Sequence, residues 1–76
     1  MNNNSLLSRI KSSPDVMVGK PVIHGTRLTV DYILNLLGHG ESIEAILAEY
    51  PGLEEADIQA CLLFAARSMF SILYIF

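Results

Sequence analysis

At 76 residues the chain has room for one domain at most, and a domain this short buries a smaller share of its surface than a large one. One cysteine and a net charge of −3 exclude an internal disulfide, a Cys/His zinc cage and a basic surface over the whole molecule. With 51% hydrophobic residues and a core worth no more than about 3–5 kcal/mol unaided, the excess apolar surface points to association, as a homodimer or a stable hetero-complex.

The charge is unevenly divided. Residues 1–30 set Arg9, Lys11, Lys20 and Arg27 against Asp15 alone. Residues 31–76 set Arg67 against Asp31, Glu41, Glu44, Glu49, Glu54, Glu55 and Asp57. Such asymmetry bears on partners and not on fold. The polar start, Met1 to Ser5, lacks the basic and apolar parts of a secretion signal. With a lone free cysteine it indicates a reducing, cytoplasmic setting.

Residues 1–15 read as an N-terminal arm, partly disordered, in which Leu6 to Ile10 fits a short helix or strand. Ser12-Ser13-Pro14-Asp15 is a turn signal. Residues 16–66 form the domain proper. Val16-Met17-Val18 is short and apolar, Gly19 adopts positive φ without steric cost, and Pro21 biases Lys20 to extended geometry. Val22-Ile23 prefers a strand and Gly25-Thr26 a tight turn, so residues 16–28 are predicted as a small β-hairpin or a strand with a turn.

Three helices are predicted next, making the fold class mainly α. The first spans Val30 to Leu37, with Thr29 as N-cap, Asp31 against the helix dipole, and Tyr32, Ile33, Leu36 and Leu37 as its apolar face. Gly38-His39-Gly40 stops it. The second spans Ile43 to Tyr50 with Ser42 as N-cap, turns Ile43, Ile46, Leu47 and Tyr50 inward, and ends at Pro51-Gly52. The third starts near Glu54 and is long. Ile58, Cys61, Leu62, Ala65 and Ala66 form one face, which Leu63, Phe64, Met69 and Phe70 widen until the helix needs burial on several sides. Residues 67–76 form an apolar tail.

The run Gly19-Lys20-Pro21-Val22-Ile23-His24-Gly25-Thr26-Arg27 resembles the signature of the family called domain of unknown function 433. The order Thr29-Val30, Ser42-Ile43-Glu44-Ala45-Ile46, Tyr50-Pro51-Gly52-Leu53 and Asp57-Ile58 with Ala60 resembles it too, over about residues 16–66. The resemblance implies a homeodomain-like helix-turn-helix bundle behind a small β-element. It also implies a VapB-type antitoxin paired with a ribonuclease-like toxin. The chain departs from the family pattern after about Arg67, where Met69 to Phe76 replaces a polar, charged end.

Residue by residue, chemistry finds little purchase. Gly19-Lys20 fails as a phosphate loop, because Pro14 stands where the motif needs glycine and Pro21 where it needs Ser or Thr. The motif residues Gly19, Lys20, Pro21, Val22, Ile23, Gly25, Thr26 and Arg27 are read as a structural turn. Arg27 either braces that turn against a carboxylate or helix carbonyls, or reaches a phosphate or an acidic partner. His24 and His39 have no carboxylate or cysteine at ligand spacing. Cys61, on an apolar face, reads as a buried small hydrophobe. Glu54, Glu55 and Asp57 complement a helix dipole more readily than they bind metal.

The second and third helices have helix-turn-helix lengths, yet the head of the third carries those same carboxylates, which phosphates repel. Nucleic-acid or partner contact therefore falls to Arg9, Lys11, Lys20 and Arg27. The 16 residues from Cys61 to Phe76 fall short of the ~20 that span a bilayer and include Arg67, so the tail is expected to dock on another chain, with Leu63, Phe64, Met69, Phe70 and Leu73 as the oligomer interface. No acid/base or nucleophile pair stands out, and no cofactor or small-molecule substrate is expected. The expected function is a non-catalytic antitoxin that neutralises a ribonuclease-like toxin, with DNA contact left open beside it. The alternative is a structural homodimer or adaptor.

Overall fold

The computed structural model describes residues 3–12 and 19–75, with side chains described over 5–12 and 19–68. Its elements in chain order are α1 (Asn3–Leu7), β1 (Ile10–Lys11), β2 (Val22–Ile23), α2 (Val30–Gly38), α3 (Ile43–Glu49) and α4 (Glu55–Ile75). The described chain is therefore mainly helical, with four helices and a two-stranded antiparallel sheet.

Two side-chain caps set the helical part. Thr29 takes extended backbone geometry and its hydroxyl accepts from the Tyr32 N–H, so α2 begins at Val30. Ser42 does the same for the Ala45 N–H and opens α3. Gly40, at φ 95°, closes α2. Its N–H donates to Leu37 O and that of Glu41 to Leu36 O, which satisfies carbonyls that the helix end leaves open. The predicted helix starts hold, and the ends of α2 and α3 shift by one residue. α4 continues through residues 67–75, the stretch read from sequence as a separate tail.

The sheet forms from distant pieces. Ile10 lies opposite Ile23 and Lys11 opposite Val22. The neighbour of β2 thus comes from the N-terminal arm, and Val16-Met17-Val18 lies outside the described residues. On its other edge Val22 bridges to Thr29, and the Ile23 N–H donates to Leu28 O. Between these contacts the chain reverses over residues 24–27. Gly25 has φ 82°, and the Thr26 hydroxyl both donates to Ile23 O and accepts from the Leu28 N–H. Gly25-Thr26 is therefore the turn expected, built from one left-handed residue and one side-chain bridge.

Ile23, Val30, Ile33, Ile46, Leu53, Ile58 and Cys61 form one buried cluster, fed by β2 and every helix from α2 to α4. Periodicity named most of it. Ile23, Ile33, Ile46, Ile58 and Cys61 are its fully buried side chains, while Tyr32, assigned to the apolar face of α2, is 42% exposed. α1 and α2 both pack against α4, which is the element the others share.

Candidate partner-binding surface

The four candidate cations meet different fates. Arg9 is half-buried between α1 and β1, and its Nη1 donates to Glu54 Oε1 at 3.0 Å and Asp57 Oδ1 at 3.1 Å. These two hydrogen bonds, Glu54 first, hold the guanidinium pKa above its ordinary value. Asp57, buried in the first turn of α4, uses its other oxygen to accept from the Glu54 N–H at 2.9 Å. One carboxylate thus caps α4 and fastens the N-terminal segment to it. Lys20 Nζ stands 4.0 Å from Asp31 Oδ2, an exposed pair of little energetic weight. Lys11 is exposed on β1. Arg27 is exposed on the turn, and it has no hydrogen-bond or ion-pair partner among the described residues. The carboxylate or carbonyl that would brace the turn through Arg27 is not among them.

What Arg27 does adjoin is a tyrosine pair. Tyr32 of α2 and Tyr50, which caps α3, meet edge to face with ring centres 6.2 Å apart, and their hydroxyls are 2.6 Å apart. That hydroxyl contact, followed by partial desolvation, pushes the Tyr50 pKa up to about 12. Arg27, Leu28, Thr29 and both tyrosines line an open hollow of about 330 Å³. A second, of about 250 Å³, shares Leu28 and Tyr50 and runs on to Glu49, Pro51 and Leu53. Sequence reasoning missed this grouping, because Tyr32 and Tyr50 were both counted as core. A signal was present. Tyrosine is amphipathic, so an apolar helix position that carries one often keeps a wet rim.

Cys61 is fully buried, and burial first, then the charge of Asp57, pushes its thiol up to about 12. A free thiol titrates near 8.5, so folding favours the protonated form. The contribution is whole below about pH 8.5 and is lost as pH rises toward the folded value. We expect the denaturation midpoint to fall between pH 8.5 and 10, and this slope to flatten in Cys61→Ala. Rapid labelling of the folded protein by a thiol reagent at pH 8 would contradict the burial. His24 and His39 are exposed, and the His39 Nδ1 is 2.7 Å from Asn35 O. Among the described residues no group of His, Cys, Asp or Glu is placed to hold a metal ion.

Five glutamates, Glu41, Glu44, Glu49, Glu54 and Glu55, are exposed along α3 and the head of α4. Among the described residues only Glu54 of these is ion-paired, to Arg9. Farther along α4, Leu62 is 46% exposed, Leu63 is half-buried and Phe64 packs on the core. Phe64 also lines a hollow of about 370 Å³ with Leu7, Ile10, Arg67 and Ser68. The side chains of Met69, Phe70 and Leu73 lie outside the described residues. Among the described residues no helix is long and apolar enough to cross a membrane.

Residues 10–65 match the family described as "Protein of unknown function (DUF433)". The match takes in β1 as well as the motif and stops before Arg67, short of the apolar end of α4. The uncharacterized protein y4eO of Sinorhizobium fredii is 34% identical over 56 residues, which is 74% of this chain and 25% of that protein. The chain thus spans about a quarter of the length of this curated relative. The crystal structure of a DUF433 member protein from Anabaena variabilis superimposes with a TM-score of 0.78 at 28% identity, covering 91% of this chain and 68% of that one.

Proposed function

The chain belongs to the DUF433 family of proteins of unknown function, and on that footing we propose that it is a non-catalytic binding module, the antitoxin of a pair whose toxin is a basic, ribonuclease-like protein. What supports the reading is the run of exposed glutamates from Glu41 to Glu55, of which only Glu54 is ion-paired among the described residues. A surface of one sign speeds encounter with a partner of the opposite sign. In this reading the protein works in the cytoplasm as a homodimer joined along α4 from its middle onward, through Leu63, Phe64, Met69, Phe70 and Leu73.

In the same reading α2, α3 and α4 form a homeodomain-like helix-turn-helix bundle with Tyr50 to Glu54 as its turn. The first turn of α4 is then a scaffold and not a DNA reader. Glu54 and Glu55 are exposed there, and phosphates repel them. Arg9 is occupied by Glu54 and Asp57. Contact with promoter DNA falls to Lys11 and Lys20, doubled by the dimer, and Arg27 is left to the protein partner.

The reading predicts a gene for a small basic, nuclease-like protein beside that of this chain, and the test is co-expression of the two. The two should purify as one complex, and growth arrest by the second protein should be relieved. Glu44→Lys with Glu49→Lys should slow association about tenfold or more at low salt and less at high salt. Two proteins that do not associate would overturn the antitoxin reading and leave the structural homodimer.

A further inference from the structure

We propose that the groove between the Thr26–Thr29 turn, Tyr32 and the Tyr50–Leu53 segment holds an extended stretch of a partner protein, with a carboxylate of that stretch on Arg27 and apolar side chains over Leu28 and Tyr50. The inference rests on the binding-module reading above and gives it a specific point of attachment.

Four observations carry it. The two hollows, about 330 and 250 Å³, share Leu28 and Tyr50 in their walls and so lie side by side along one face. Both are open, and small-molecule sites enclose most of their ligand, so the shape suits a chain segment laid along the surface. Tyrosine and arginine are the side chains that most often anchor protein interfaces. Here the rings of Tyr32 and Tyr50 hold each other at 83° and through their hydroxyls, so little side-chain freedom remains to be lost on binding. One hydroxyl hydrogen bridges the pair, and the other is left as a donor to the occupant.

Charge selects the occupant. Arg27 has no partner among the described residues, whereas Arg9 and Lys20 each stand beside carboxylates of their own chain. A planar guanidinium beside an aromatic pair is matched by a carboxylate in two-point contact. Nucleic acid is disfavoured along the same face, because Glu49 lines its second hollow and Asp31 is exposed on the first turn of α2.

The probe is a random dodecamer peptide library displayed on phage, panned on the intact chain. Peptides carrying Asp or Glu beside an aromatic or aliphatic residue should be enriched. Their amide shifts should map to Arg27, Leu28, Tyr32 and Tyr50. Arg27→Glu should weaken them tenfold or more and enrich Lys or Arg instead. Tyr50→Phe should weaken them less. Arg27 is exposed, so its variant should melt with the parent; if it does not, Arg27→Gln gives the same comparison. Enriched peptides that bind Arg27→Glu equally well, or shifts elsewhere, would overturn the proposal, as would an oligothymidine that binds here in their place. A groove that fails with an intact toxin complex overturns this inference alone. A groove that binds such peptides without a toxin complex overturns the antitoxin reading alone.

Discussion

Ile58→Ala is expected to leave most of the protein unfolded at 25 °C. Ile58 sits in the first half of α4 with no exposed surface, in one cluster with Ile23, Ile33 and Ile46. Truncating a buried isoleucine to alanine costs about 2–5 kcal/mol, through lost transfer energy and the cavity left behind. A core of this size supplies about 3–5 kcal/mol in all. The two ranges nearly coincide, so one substitution consumes the margin. Ile58→Val removes a single methylene and costs about 0.5–1.5 kcal/mol, so it should remain folded with a lowered midpoint. Far-ultraviolet circular dichroism with urea titration checks both. An alanine variant that keeps the parental midpoint would mean that this side chain is not the keystone its burial indicates. A midpoint that recovers with rising protein concentration would show that association supplies the missing stability, as the 51% apolar composition anticipates.

How far the fold was readable from residues alone follows the range of each interaction. Thr29, Ser42 and Gly40 act on backbone groups a few positions away, so local chemistry places the helix boundaries within a residue. Gly25 and Thr26 close their turn in the same way. The apolar spacing of Ile33, Ile46 and Ile58 identifies the core, because helical period alone decides which face is inward. Failures begin where partners are distant. β1 pairs with β2 across residues 12–21, and two-residue strands carry no alternation to detect. α1 owes its place to packing on α4, since an isolated five-residue helix is below the length that stands alone. Arg9 reads as a spare cation because Glu54 and Asp57 lie more than forty residues on. The same limit hid the Tyr32–Tyr50 contact and with it the hollow beside Arg27. The candidate surface is thus legible in its charges and illegible in its geometry.

That long-range clip makes a second prediction. Asp57→Ala should destabilise the protein by about 1–3 kcal/mol, the range for removing a partner and leaving buried polar groups unsatisfied. Asp57 is 7% exposed, and its carboxylate serves two donors at once, the Glu54 N–H and Arg9 Nη1. Its loss therefore opens the first turn of α4 and releases the N-terminal segment together. Arg9→Met separates the two effects. It keeps a long apolar stem where Arg9 lay and removes only the charge link, while Asp57 retains its bond to the Glu54 N–H. The expected signature is spatial. In Arg9→Met the amides of α1 and β1 should exchange faster, above all the His24 N–H that donates to Arg9 O at 2.7 Å, while α2 and α3 keep their protection. In Asp57→Ala protection should also fall at the head of α4. The double variant should lose less than the sum of the singles, because Arg9 and Asp57 share one contact. Exchange that rises uniformly in Arg9→Met, or strictly additive losses, would show that the segment is held by Ile10 packing alone and that the ion pairs are incidental. Preserved local exchange in both variants would remove Arg9 from the structural account and return it to the set of free cations available to a partner.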